Sequence, residues 1–334
     1  MTSSIIILGG FDGVHLGHQA LVRDARRLAT EHARRAPAAS PMPRVCAIVL
    51  DPKPSSILRP ASAPATLTSV DQREALLRAA GADDVVRINV TPEFLDLSPE
   101  EFLARHIAPL NPVAMVEGPD FRFGKNRAGD LDTVRRFFSR SVPGGFVIDT
   151  PQEVHATLTD LSFVPARSTM IRWLLLNARV RDAAILLGRP HELLGTVVPG
   201  DRRGRTIGYP TINIDSPCLS PSDGVYAGLA VLPDARVFPA AISVGVKPTF
   251  NGAARAVEAF LLNHTQRDRP WSPIDGLPEY RWPVRLQFLA FIRDQVRFPG
   301  LQSLLDQIAR DCLVVHDIAQ SHLAHSPRPV EASV

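Results

Sequence analysis

Lysine is nearly missing from this chain. Only Lys53, Lys125 and Lys247 occur among 334 residues, so arginine carries almost all the positive charge, and the net charge is only +3. With so little excess charge and no basic run interleaved with aromatics, the sequence lacks the footprint of a nucleic-acid-binding protein. Cysteine is equally scarce: Cys46, Cys218 and Cys312 are odd in number and far apart. They form neither a disulfide framework nor a C-x-x-C metal knuckle, which argues against a disulfide-stapled secreted domain and predicts a reducing, cytoplasmic setting. No apolar run reaches the length of a bilayer span. The N-terminus shows no charged segment followed by a long apolar one and a cleavage site, so neither a membrane partner nor a secretory signal is expected. What remains, at 45% hydrophobic and 21% charged, is a globular composition in a chain too long for one ordinary core.

Up to Gly188 the pattern alternates between strand and helix. Ile5-Ile6-Ile7-Leu8 reads as a buried strand that runs into Gly9-Gly10, and His15-Leu16-Gly17-His18 opens an amphipathic helix. Cys46–Leu50, Asp84–Val90 and Val113–Glu117 read as further strands. Between them Ser69 with Gln72, and Ser98-Pro99-Glu100-Glu101, carry the capping-box spacing of helix starts. This predicts an α/β domain over 1–188, with a parallel sheet covered on both faces and ligands at the carboxyl ends of its strands. After Gly188-Arg189-Pro190 six short β-rich runs follow: Gly195–Val198, Thr211–Ile214, Val225–Val231, Ala240–Val244, Val257–Leu262 and Val284–Phe291. They predict a small antiparallel barrel within 189–322. A closing helix is expected from Phe298 to about Ala319, with Leu301, Leu304, Leu305 and Ile308 on its apolar face, and residues 323–334 are expected to be disordered.

Two stretches carry chemistry. A strand, a glycine turn and a helix N-terminus together make an anion site, because unpaired amides and the positive end of the helix dipole face one point. His15 and His18 share the first turn there and suit phosphate oxygens as charge develops, while Gly17 leaves room for a phosphate against the backbone. A zinc pair is the poorer reading, since no third ligand lies close by. In Gly195–Asn213 the glycines Gly200, Gly204 and Gly208 allow close approach of backbone amides to phosphate. Pro210-Thr211-Ile212-Asn213 then enters a strand on which Thr211 and Asn213 share a face, a partial Mg²⁺ site.

Gly9 to His18, read as G-x-F-D-G-V-H-x-G-H, resembles the nucleotidyltransferase signature of bacterial bifunctional riboflavin kinase/FAD synthetases. Glu117–Gly124 resembles that family's G-x-D-F-R-F-G stretch, and Ser168-Thr169-Met170-Ile171-Arg172 resembles its S-S-T-x-I-R phosphate segment. The resemblance implies a Rossmann-like adenylyltransferase domain in which Gly9, Phe11, Asp12, His15, His18, Asp120, Ser168, Thr169 and Arg172 bind nucleotide and phosphate, with Phe121 beside a ring. Gly195–Asn213 is similar to the riboflavin kinase signature at every specified position, Arg205 included. Val257–Leu262 resembles the strand bearing the catalytic glutamate, here Glu258, and Arg293 fits an ATP- or flavin-contacting arginine. The implied activities use ATP and Mg²⁺ to phosphorylate riboflavin to FMN and to adenylylate FMN to FAD.

The match frays in places. Lys53 stands in Leu50-Asp51-Pro52-Lys53-Pro54 where relatives carry F-x-P-H-P, and Pro165 replaces an expected arginine. Arg167 is expected to reach the same phosphates in its stead. Asn263-His264 and the long connection Thr265–Trp282 also depart from the pattern. A kinase with a slow transferase half and a flavin-responsive regulator stay open as alternatives. A polyol-phosphate cytidylyltransferase shares the H-x-G-H element but leaves the second domain unexplained. The oligomeric state is not written in the sequence.

Overall fold

Ser4–Gly9 forms β1 at the centre of a five-stranded parallel sheet, and its unbroken apolar run is explained by where alternate residues go. In the computed structural model, which describes residues 2–35, 40–139, 142, 145–249, 252–262 and 272–325, Ile5 and Ile7 pack on one face beneath the helix Leu16–Arg35. Ile6 and Leu8 pack on the other, against Phe102, Leu103 and Phe138. A strand buried on both faces needs hydrophobic residues at every position. The other strands are β2 (Arg44–Asp51), β3 (Asp84–Asn89), β4 (Pro112–Val116) and β5 (Val147–Asp149), in the order β3-β2-β1-β4-β5. The chain crosses from one side of β1 to the other between β1 and β4, so ligands are placed outside the carboxyl ends of those two strands. Both expected capping boxes are present: Ser69 with Gln72, and Ser98 with Glu101. A small hairpin of β6 (His155–Thr157) and β7 (Phe163–Pro165) follows the sheet.

The remaining strands close into an antiparallel barrel. They are β8 (His191–Val198), β9 (Thr211–Asp215), β10 (Gly224–Val231), β11 (Val237–Thr249), β12 (Gly252–Leu261) and β13 (Pro283–Arg293), in the closed order β10-β11-β12-β9-β8-β13. Inward positions such as Ile242, Val244, Val257, Ala259, Leu286 and Phe288 are buried. The helix Leu301–His325 covers the outer face of β10, β11 and β13, where Ala227 and Ala290 let Val315 approach. Cover on both sides explains why β10 is buried at nearly every residue.

Several boundaries depart from expectation. The barrel strands are longer, because their ends pair beyond the apolar runs that mark them in the sequence. The closing helix starts at Leu301 and continues through His325, so the first part of the expected tail is helical; residues 326–334 lie outside those described. Its buried stripe runs through Asp311, Val315 and Ala319, whereas Leu301 is 57% exposed. By packing, the chain divides into two units at Ser168/Thr169, with residues 158–162 joining the second unit. Residues 169–188 go with the barrel because Leu175 O accepts from Ser222 N at 2.9 Å and the helix Val180–Leu187 packs on β13.

A charged pair docks the closing helix. Arg293 grips Asp311 with Nε at 3.0 Å and Nη2 at 2.7 Å, and Gln307 Nε2 donates to the same carboxylate at 2.9 Å. Asp311 is only 6% exposed and Arg293 22%. Replacing Asp311 with alanine leaves a half-buried guanidinium unpaired, and a loss of about 3 kcal/mol is expected in chemical unfolding. A change below a few tenths of a kcal/mol would show that the pair contributes nothing to holding the helix.

Candidate functional sites

The N-terminal site is a strained loop pinned from several sides. After Gly9 the backbone is left-handed at Phe11 (φ 45°) and Val14 (φ 40°), each a conformation that costs a side-chain-bearing residue about 1–3 kcal/mol. Asp12 holds it. Its Oδ1 accepts from the amides of Leu67 (2.9 Å) and Thr68 (3.1 Å), and its Oδ2 accepts from Lys53 Nζ at 3.0 Å. Gly13 N donates to Thr68 Oγ1 at 2.9 Å, Ser168 Oγ donates to the Asp12 carbonyl at 2.7 Å, and the buried Arg73 donates to the Gly10 carbonyl at 3.0 Å.

On this platform His15 and His18 stack with ring centroids 3.7 Å apart, and Phe11 meets His18 edge-on at 5.2 Å. Two cationic rings at that spacing repel, and burial strips their hydration. Desolvation first, and the His15 ring second, hold His18 well below the usual 6.5. The Nδ1 of His18 is buried and makes no hydrogen bond. The pair sits at the N-terminus of the helix Leu16–Arg35, where the helix dipole favours an anion. Across the switch point, the buried Glu117 accepts from Leu8 N, and burial pushes its carboxyl up to about 8.

The expected residues therefore divide. His15, His18 and the backbone after Gly9 are brought together at the helix N-terminus. Phe11 and Asp12 are buried beneath them, and Asp12 bonds to Leu67, Thr68 and Lys53. The room expected beside Gly17 is taken: a Cβ there would stand 3.1 Å from the Ala166 carbonyl and from the His15 ring. Arg167 is 61% exposed and its guanidinium binds Glu153. Asp120 is exposed on the loop after β4, while Thr169 and Arg172 lie on the helix Ser168–Leu176, within the second unit. Arg73 and Thr68 were not foreseen, because a buried arginine in a helix carries no sequence mark.

The second site lies on the outer face of the barrel. Asn213 in β9 stands directly opposite Glu258 in β12, and Glu258 stands opposite Ser243 in β11. Ile214, Ile242, Val244, Val257 and Ala259 beside them are buried, so the three polar side chains form one row across three strands, with Thr211 two residues from Asn213 on the same face. A cavity of about 320 Å³ lies against Asn213, Glu258 and Thr211 and is roofed by Asp201, Arg202, Arg203 and Gly204. A second, of about 450 Å³, is lined by Ser243, Val225, Gln295, Phe298 and Leu304. Gly200 and Gly204 are required by contact: a Cβ would fall 2.1 Å from the Asn213 side chain and 2.1 Å from the Tyr209 carbonyl. Gly208 has φ +81° and Pro210 leads into β9.

Arg205 binds Glu279 and Arg293 binds Asp311, and Arg293 also borders the larger of these two cavities. Among the described residues no cluster of three His, Cys, Asp or Glu side chains is arranged to hold a metal ion. Thr211 and Asn213 supply neutral oxygens beside the Glu258 carboxylate, a donor set that suits Mg²⁺ shared with phosphate oxygens.

In an NMR titration of the ligand-free protein, His18 is expected to take its proton well below 6.5, and pyrophosphate to raise that value. The unfolded chain binds this proton near 6.5 and the folded one does not, so His18 withdraws stability as pH falls below 6.5. Ordinary titration in the free protein would mean that the pair is not desolvated.

Comparison with known proteins agrees with both halves. A family model described as FAD synthetase matches residues 1–158, and one described as riboflavin kinase matches 187–319. Bifunctional riboflavin kinase/FMN adenylyltransferases of Bacillus subtilis and Escherichia coli K12 are 28% and 29% identical. The first alignment covers 92% of this chain and 90% of the relative, the second 94% and 92%. A crystal structure from Streptococcus pneumoniae, described as a macrolide-efflux protein, superposes with a TM-score of 0.76 at 27% identity over 94% of each chain. Among the described residues here, no helix is long and apolar enough to cross a membrane. The two family models together span most of the length, so the chain carries an FAD synthetase domain followed by a riboflavin kinase domain, the two activities named in these bifunctional relatives.

Proposed function

We infer that the chain phosphorylates riboflavin to FMN on the barrel and adenylylates FMN to FAD on the parallel sheet, using ATP in both steps. The observation that carries the kinase half is the row Asn213–Glu258–Ser243, with one cavity against Asn213 and Glu258 and a second against Ser243. ATP phosphates lie under the glycine loop on the Asn213 side, and riboflavin occupies the more apolar cavity on the Ser243 side. Glu258 then sits between donor and acceptor. It takes the proton of the ribityl 5′-hydroxyl as that oxygen bonds to the γ-phosphorus, while the bond to the β,γ-bridging oxygen breaks and ADP leaves. Thr211 and Asn213 would hold Mg²⁺, which neutralises phosphate charge when bound.

At the other site an FMN phosphate oxygen attacks the α-phosphorus of the second ATP, and pyrophosphate departs. The protein's task is in-line positioning and neutralisation of spreading charge. His15 and His18 donate to phosphate oxygens, aided by amides of the strained loop. A cavity of about 730 Å³ beside Gly9, lined by Leu50, Phe94, Phe102, Phe121 and Phe123 with Arg122 and Lys125 at its edge, suits the isoalloxazine ring and a phosphate. A cytoplasmic location accords with three cysteines that form no disulfide. A sensor without catalysis has no use for a carboxylate placed between two substrate cavities, which disfavours a purely regulatory role.

Incubation with riboflavin, ATP and Mg²⁺ is expected to yield FMN and then FAD. Glu258→Gln should cut riboflavin phosphorylation by about 10²–10⁴-fold and leave conversion of supplied FMN to FAD intact. Equal loss of both activities in a folded variant would refute the assignment of Glu258. His18→Ala should do the converse, lowering FMN adenylylation about a hundredfold, since one lost donor costs about 3 kcal/mol in the transition state. Unchanged FAD formation would remove His18 from the mechanism.

A further inference from the structure

The glycine loop over the kinase cavity is gripped from outside as well as seated from within. Arg205 donates through Nη2 to Glu279 Oε1 at 2.6 Å and lies 3.3 Å from the Tyr280 hydroxyl. Arg202 donates through Nε to that hydroxyl at 3.1 Å, its guanidinium stands 5.8 Å from the Tyr280 ring centre, and its Nη2 is 3.6 Å from Glu279 Oε1. Arg203, between them, is 89% exposed and borders the cavity. Glu279 and Tyr280 are themselves anchored, since Arg281 N donates to Val197 O at 2.8 Å and Val197 N donates to Trp282 O at 2.9 Å. The grip thus starts from β8, the strand that leads into the loop.

Its geometry answers a backbone problem. Arg202 is left-handed at φ 58°, a conformation that a residue with a Cβ adopts reluctantly and that needs outside support. Gly200 against Asn213 and Gly204 against the Tyr209 carbonyl fix the inner side of the loop, but these are contacts without charge. The outer side is where directional bonds are made. Two guanidinium groups share one carboxylate, and the Arg205 bond holds Glu279 below its ordinary range.

We propose that Glu279 and Tyr280 are positioning residues for phosphoryl transfer: a clasp that holds Arg202 and Arg205 so that the loop amides are already in place for ATP phosphates over Thr211, Asn213 and Glu258. The clasp rests on the assignment of that cavity to ATP. Its role lies in the affinity for ATP, because a loop that must first be ordered charges the ordering to binding.

The test compares Glu279→Ala, Glu279→Gln and Tyr280→Phe with the full-length protein in riboflavin phosphorylation. Glu279→Ala is expected to raise KM for ATP about tenfold with kcat within about threefold, and Glu279→Gln, which keeps an acceptor, to restore part of the loss. Tyr280→Phe should show a smaller rise. Hydrogen exchange should quicken at amides 200–208 in Glu279→Ala and stay unchanged at 211–215. A KM that falls would show Glu279 competing with ATP phosphates and overturn the proposal. An unchanged KM with unchanged exchange would overturn it too, as would a joint fall of kcat and thermal stability with KM untouched. Wild-type protein unable to phosphorylate riboflavin would instead count against the function assigned above, and the exchange comparison would still decide whether the clasp orders the loop.

Discussion

The two-residue period of extended chain is the constraint on which the rest of this structure depends. In the parallel sheet it sends Ile5 and Ile7 to one face and Ile6 and Leu8 to the other, so one short apolar run supplies two cores. In the barrel the same period turns Val257 and Ala259 inward and Glu258 outward. A slip of one residue between β9 and β12 would bury Glu258 and expose Val257. The hydrophobic interior therefore fixes the register of the polar row: burial of the apolar neighbours makes any other pairing of Asn213 with Glu258 costly.

Local patterns carried most of the fold. Capping boxes at Ser69 and Ser98, the β-branched run of β1 and the glycine-punctuated strands of the barrel all depend on neighbours within a few residues, and these are written directly in the sequence. The ends of elements were less legible. Strands such as β11 and β12 extend past their apolar residues because backbone pairing, not side-chain character, sets where a ladder stops. The closing helix shows the same limit. Its periodicity is visible in Leu301, Leu304 and Ile308, but which stripe is buried depends on where Arg293 meets Asp311.

The site was legible as a set of residues, less so as a set of roles. The motif around His15 and His18 points to phosphate, but Phe11 and Asp12 belong to the same string and act from below. Asp12 ties the left-handed loop to Leu67 and Thr68, and Phe11 is buried under the histidine pair. Arginines divide in the same way. Arg205, Arg293 and Arg167 each look suited to phosphate in sequence, and each is found on a carboxylate, from Glu279, Asp311 and Glu153 respectively. No local spacing announces those acidic partners, which come from segments up to 74 residues away.

The stacked imidazoles give the N-terminal loop a property beyond geometry. Burial, and the His15 ring beside it, disfavour the charged form of His18, so an anion seated there would draw a proton onto that ring and its departure would return it. Binding at such a loop would be coupled to hydrogen-ion uptake, and the acidity of the medium would act as a silent co-ligand.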